Sequence, residues 1–207
     1  MKSLKLPFMA LSLAYCGSVL AVPVTIHYTA DNAVVVGGVC AEVDCSPLQS
    51  SADFADIFVN GSEPHADEWW NADTAVLDLG PGTYGLAFIA DNFGVGSAGN
   101  PAGFLAEILW AGGSNLTTSA WDVTIDGVNW VSATEWAKNG TGIWGSNLLG
   151  EISSDAYWLW TANNFTENTN VRAGFRTTIT IVPEPTTLSL LGVALLGLGL
   201  ARRQRRI

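Results

Sequence analysis

Positive charge is almost missing from the middle of this 207-residue chain. Of nine Lys and Arg, Lys2 and Lys5 stand near the N-terminus and Arg202, Arg203, Arg205 and Arg206 at the C-terminus, leaving Lys138, Arg172 and Arg176 in between. Residues 22–182 set 18 acidic residues against those three bases. A surface this acidic repels phosphate backbones and anionic lipid, which excludes nucleic acid as a partner. Histidine is nearly as scarce, with only His27 and His65 in the chain. No zinc-ligand spacing, phosphate-binding loop, dinucleotide fingerprint or Ser-His-Asp signature is present. Helical periodicity is missing too, for no stretch between the termini sustains it over three turns.

Of three cysteines, Cys16 lies in an N-terminal apolar run and Cys40 and Cys45 remain, in Cys40-Ala-Glu-Val-Asp-Cys45. An even pair in an oxidising compartment is most simply a disulfide closing a small surface loop. The compartment follows from the N-terminus. Lys2 and Lys5 form a charged n-region, Leu6 to Leu20 an apolar h-region, and Val19-Leu20-Ala21 a small-residue site that predicts cleavage after Ala21. Tyr15 occupies the place where a lipoprotein signal at Cys16 needs a small residue. The expected division is a signal peptide over 1–21, one extracytoplasmic domain over 22–182 and a tail over 183–207.

Strand signals fill the central segment. Val24 to Thr29 alternates, with Thr25, His27 and Thr29 on one face and Val24, Ile26 and Tyr28 on the other. Asp31-Asn32 reads as a turn, then Ala33 to Val36 as a strand ended by the turn glycines Gly37-Gly38. Residues 38–66 read as an insertion holding the cysteine pair and a short helix around Asp53 to Val59. Further strands are expected at Thr74 to Leu79, Thr83 to Ala90, Phe104 to Trp110, Trp121 to Ile125, Tyr157 to Thr161 and Gly174 to Val182. The Thr83–Ala90 run is apolar nearly throughout and suits a strand buried on both faces. On the last strand, Phe175, Thr177, Ile179 and Ile181 share a face. About eight short strands joined by Gly/Asn/Asp loops predict an all-β sandwich.

Tryptophan is abundant, with nine residues, all between the terminal segments. Trp110, Trp121, Trp136, Trp144, Trp158 and Trp160 read as packing residues. The adjacent Trp69 and Trp70 are different: if extended, they point to opposite faces and expose at least one ring. Indole faces stack on sugar rings, so Trp69 and Trp70 with the loop residues Asp31 and Asn32 are the candidate sugar-binding set. Glycosidase chemistry needs two carboxylates at fixed separation. Neither Glu107 with Glu151 nor Asp67 with Glu68 is positioned by anything in the sequence, and no catalytic residue is assigned. The expected cofactor is none and the expected metal none. A structural Ca²⁺ held by Asp31, Asn32, Asp91 and Asn92 is the alternative. Four Asn-x-Ser/Thr sequons, at Asn60, Asn115, Asn139 and Asn164, read as plain polar loops.

The last 25 residues carry a distinct order: Pro183-Glu184-Pro185, an uncharged run from Leu188 to Ala201, then the four arginines. The prolines make a rigid extended spacer. From Thr186 to Leu200 a helix would span roughly 22 Å, short of the ~30 Å hydrocarbon core. The arginines can snorkel and hold the C-terminus on the cytoplasmic side. This order resembles the PEP-CTERM sorting signal of Gram-negative bacteria. The resemblance implies that Pro183, Glu184 and Pro185 are the recognition element for an exosortase, a membrane cysteine protease. It further implies that Leu188 to Ala201 is a transient inner-membrane helix and Arg202, Arg203, Arg205 and Arg206 its stop. Such proteins are commonly made alongside exopolysaccharide systems.

A second resemblance runs over roughly residues 24–165. It is carried by Thr29-Ala-Asp-Asn-Ala-Val-Val-Val-Gly37, Trp69/Trp70, Leu79-Gly-Pro-Gly-Thr-Tyr-Gly-Leu-Ala-Phe-Ile-Ala-Asp-Asn92 and Gly99-Asn-Pro-Ala-Gly-Phe-Leu-Ala-Glu-Ile108. Ser119-Ala-Trp121, Trp130, Trp136 and Gly142-Ile-Trp-Gly145 follow. The order is similar to galactose-binding-like jelly-roll modules, including those beside bacterial rhamnosidase-type enzymes, which serve as binding modules, spacers or accessory domains. Together the two resemblances imply a non-enzymatic surface or matrix protein, exported and associated with exopolysaccharide in a biofilm or floc. A dedicated carbohydrate-binding module is the alternative, and a glycan-processing enzyme a second one.

Overall fold

The structure, a computed structural model, describes residues 21–61, 68–145, 149–161 and 171–182, with Ala194 in addition. The described residues form two antiparallel sheets packed face to face. The strands are β1 (Val22–Asp31), β2 (Ala33–Cys40), β3 (Phe54–Asn60), β4 (Asp73–Leu79), β5 (Gly82–Asp91) and β6 (Gly103–Trp110), followed by β7 (Gly113–Leu116), β8 (Asp122–Thr124), β9 (Val131–Ser132), β10 (Thr134–Lys138), β11 (Tyr157–Trp160) and β12 (Arg172–Ile181). The first sheet runs β10-β11-β6-β1-β4, with β7 also on β6; the second runs β3-β2-β5-β12-β8-β9. Among the described residues no helix is long and apolar enough to cross a membrane. The leader, the Pro-Glu-Pro spacer and, Ala194 apart, the apolar run and arginine cluster lie outside the described residues.

Alternation dictates which side chains meet between the sheets. On β1, Val24, Ile26 and Tyr28 are buried inward, facing Leu86, Phe88 and Ala90 of β5 and Phe175, Ile179 and Ile181 of β12 in one apolar cluster. Phe88, Phe104, Trp121 and Phe175 form its aromatic centre, with Phe104 stacked on Phe175 at 4.6 Å between ring centroids. The odd-numbered face of β1 points away, and His27 there shares a 2.8 Å hydrogen bond with the Thr74 hydroxyl.

Both sheets are also covered on parts of their outer faces, which explains the runs that do not alternate. Across the second sheet lies the loop closed by the Cys40–Cys45 disulfide. Cys45, Leu48 and Phe54 pack there on Ala87 and Ile89 of β5. Gly85 is required beneath it, because a Cβ at that position would stand 2.7 Å from Cys45 Sγ. Arg176 ties this cover down: its guanidinium donates to Asp122 at 2.9–3.0 Å and to the Asp44 carbonyl, and lies 4.3 Å from the Trp130 ring centroid. Joining residues five apart, the disulfide removes loop-closure entropy worth about 2 kcal/mol from the unfolded chain. Reduction should lower the urea midpoint accordingly, and an unchanged midpoint under reducing conditions would show that the cover contributes nothing.

Two expectations need correction here. Gly37-Gly38 is not a turn; both glycines lie inside β2, which continues to Cys40 and pairs with β3. The expected helix at Asp53–Val59 is instead the strand β3, entered from a short 3-10 turn at Ser51–Asp53 that Ser50 caps. Phe54, Ile57 and Phe58 stand at helix-like spacing, but β2 offers them an open strand edge. Register shifts at Gly37/Gly38 and Val39/Cys40 break the alternation that would have marked a strand. Gly38 must be glycine, since a Cβ would collide with the Asp56 carbonyl. Of the expected insertion over 38–66, the stretch between β2 and the 3-10 turn is a loop, and residues 62–66 lie outside the described residues.

Candidate functional site

Strand registers collect several loops at one end of the sandwich. Asp31 ends β1 opposite Gly103 at the start of β6, while Asp91 ends β5 between Ala33 and Arg172. The β1–β2 turn is pinned from both sides: the Asn32 amide donates to the Asp91 carbonyl at 2.9 Å, and the Asn32 side-chain oxygen accepts from the Phe93 amide at 2.7 Å. Arg172 grips Asp91 through two hydrogen bonds of 2.6 and 2.7 Å, which raise its already high pKa.

Over the outer face of β6 lies a second cover, the segment between β10 and β11. Leu105 packs there with Trp144, Leu149, Ile152, Ala156 and Trp158. Trp144 and Trp158 stack with ring centroids 4.5 Å apart and planes 9° from parallel. They lie so close to β6 that a Cβ on Gly103 would approach Trp144 and Trp158 ring atoms to 2.6 and 2.8 Å. Gly103 thus lets the indole pair sink onto the backbone beside Asp31. As a result the buried Trp144 N–H donates to the Asp31 carboxylate at 3.2 Å. Asn139 clamps the segment from within. Its side-chain amide donates to the carbonyls of Leu149 (3.1 Å) and Ile152 (2.7 Å), and its oxygen accepts from the Leu149 amide (3.2 Å).

Trp69 and Trp70 do not lie in a strand. They occupy a turn closed by the Asn71 amide donating to the Glu68 carbonyl at 2.7 Å. Trp69 is half-buried, edge-to-face with Trp158 at 6.3 Å and with Trp70 at 5.6 Å, whereas Trp70 is 47% exposed. A ring is therefore displayed as expected, through a turn rather than through strand alternation. The Thr29 hydroxyl donates to the Trp69 carbonyl at 3.3 Å and fixes the turn to β1.

These pieces border a cavity of about 300 Å³, open to solvent, lined by Asp31, Asn32 and Trp69 on one side, residues 98–101 on another, and Ile143 and Trp144 on a third. Three of the four sugar-binding candidates line it. Trp70 stands against Trp69, and the exposed rings and methyls of Phe93, Val95 and Ile143 belong to the same group of loops. Trp144 packs as the sequence leads one to expect, but its N–H bond to Asp31 could not be read there, and Asn139, expected as a plain polar loop residue, is a buried clamp. The glycine directly before Phe104, on a strand apolar on both faces, was the available signal that something large lay over β6.

The remaining candidates are dispersed. Glu107 accepts from the Ser153 amide at 2.6 Å, Glu68 accepts from the Asn71 side chain at 2.7 Å, Glu151 is exposed, and Asp67 and His65 lie outside the described residues. Among the described residues no group of three or more His, Cys, Asp or Glu could hold a metal. Of the four Ca²⁺ candidates, Asp91 is committed to Arg172, Asn32 to Phe93 and Asp31 to Trp144, and the Asn92 side chain donates to the Gly94 carbonyl at 3.1 Å.

A family model described as the PEP-CTERM protein-sorting motif matches residues 182–206. No curated protein and no solved structure matches the chain. The match identifies the sorting signal read in the tail: the chain is an exported protein, a substrate of an exosortase-type partner, sorted across the membrane to the cell surface.

Proposed function

We propose that this protein is a non-enzymatic component of the extracellular polymer layer, in which its sandwich holds exopolysaccharide through the Asp31–Trp69 cavity. One observation carries the reading. Asp31, Asn32 and Trp69, residue types suited to sugar recognition, come from two distant stretches of chain and line one cavity. The lining is mainly polar, with the Trp69 and Trp144 indoles beside Asp31, Asn32 and Asn100, and rings beside polar groups suit a hydroxyl-rich ligand. The Trp70 face beside it extends the surface for further sugar rings. The galactose-binding-like assignment belongs to the same proposal, and a two-sheet antiparallel sandwich is the architecture it requires.

The test is a binding panel with the full chain in mild detergent, including the host's own exopolymer. We expect saturable binding that salt leaves unchanged. Replacing Trp69 and Trp70 together with Ala should weaken it by about 2 kcal/mol, as for buried aromatic anchors, or roughly thirtyfold. A folded protein that binds no polysaccharide, or a double variant that binds as well as the parent, would overturn the proposal.

A further inference from the structure

We propose that the pole of the sandwich at which β12 ends is a docking face for the exosortase, so that the enzyme contacts the folded domain as well as the sorting signal. This contact is independent of what the cavity binds.

Strand registers bring several segments to this pole. Val22, the first residue of β1, pairs with Leu79 at the end of β4. Gly80 and Pro81 then cross to the second sheet, where Gly82 pairs with Ile181, the last residue of β12. Trp110 pairs with Val24, and the turn from β6 into β7 follows it. The cavity lies at the other pole, beside Asp31 and Gly103, and β12 spans the distance between the two, about 30 Å at 3.3 Å per residue.

A short tether imposes the contact. Ile181 is 2% exposed and held in the ladder, whereas Val182 is 67% exposed. The sorting motif matches from residue 182, so the signal starts where the last strand stops, with no spacer between them. From Ile181 to Pro185 a fully extended chain reaches at most about 14 Å. A protease that engages Pro183-Glu184-Pro185 must therefore come against this pole. Peeling β12 away would lengthen the tether, but it would bring Ile179 and Ile181 out of the apolar cluster into water. The surface suits a close approach. Residues 22–182 carry 18 acids, yet among residues 21–24, 77–84, 109–114 and 178–182 Asp78 is the only charged one. Carboxylates there would be repelled by the anionic lipid around a membrane protease. The face is also fixed in shape: the Tyr84 hydroxyl donates to the Gly80 carbonyl at 3.0 Å, and the Thr83 and Thr180 hydroxyls share a 3.2 Å hydrogen bond.

The experiment follows processing of the full chain in its own host by pulse-chase, with the product read by immunoblot and mass spectrometry. A flexible insertion of about eight Gly/Ser residues between Ile181 and Val182 frees the signal from the pole and leaves the matched residues 182–206 intact. It should slow processing roughly fivefold or more, because the docked face no longer holds the signal at the enzyme. Thr83→Glu and Thr180→Glu, each made singly at exposed positions of the pole, should slow it roughly threefold or more. Ser97→Glu adds the same charge at the cavity pole, where exposed Ser97 pairs with Asn100, and should leave the rate as it was. In the chain carrying the insertion, Thr180→Glu should add nothing further, since the face is already disengaged. Near-UV circular dichroism establishes that each variant is folded, and either threonine variant carries the test if the other is not. An insertion that speeds processing shows a pole that obstructs the enzyme, and one that changes nothing shows a tail read alone; each overturns the docking face. A slowing by the insertion that neither threonine variant reproduces overturns it too. Carboxylates that slow processing equally with and without the insertion assign the pole to lipid instead of the enzyme, and overturn it as well.

Discussion

Trp158→Ala should cost about 3–5 kcal/mol, the range for removing a large buried aromatic side chain. Trp158 is fully buried, stacks on Trp144 and receives Trp69 edge-to-face, so its loss opens a void on β11 beneath both walls of the cavity. At roughly 2–4 °C per kcal/mol for a domain of this size, the melting temperature should fall by about 10 °C. Sugar binding should weaken in parallel, because Trp69 and the Trp144 N–H lose the surface that places them. Near-UV circular dichroism offers a direct readout: two indoles stacked at 4.5 Å couple their transitions, and that signal should vanish in the variant. A thermal shift of a degree or two with the signal preserved would mean that the stack is not the foundation of this face.

Asn139→Ala should be the second most damaging change, at about 3 kcal/mol. Asn139 is 3% exposed and serves two carbonyls and one amide of the segment that carries Trp144. Alanine leaves those backbone groups buried without partners, each at about 1–3 kcal/mol before relaxation. Asn139→Asp is the sharper variant. It keeps an acceptor for the Leu149 amide but turns a carboxylate oxygen toward the carbonyls of Leu149 and Ile152, so it should be no better than alanine. Chemical denaturation of both variants decides the matter, and full rescue by aspartate would remove the amide from its role as clamp.

The strands that carry the sandwich could be read in advance because physics there is local. The Val24–Thr29 alternation, the apolar run of β5 and the long alternation ending at Ile181 each follow from which faces are covered. Where two segments had to meet before a pattern made sense, reading failed. Gly37-Gly38 resembles a turn until Asp56 is seen to press against Gly38, and Asp53–Val59 resembles a helix until β2 supplies the hydrogen bonds of a strand. For the candidate site, composition singled out Asp31, Asn32, Trp69 and Trp70, and the structure brings three of them to one cavity. It could not reveal that Trp144, 113 residues from Asp31, donates the hydrogen bond that orients its carboxylate. Nor could a sequon announce Asn139 as a buried clamp, because its partners Leu149 and Ile152 follow it by ten and 13 positions in an irregular segment.

The most direct test of the central claim is to record the nine tryptophan indole N–H resonances of the protein while titrating a fragment of the host's exopolysaccharide. The proposed cavity predicts that Trp69, Trp70 and Trp144 shift in a saturable manner, while Trp110, Trp121 and Trp160, which do not line the cavity, stay in place. Shifts confined to those distant residues, or a spectrum unchanged at saturating fragment, would contradict it.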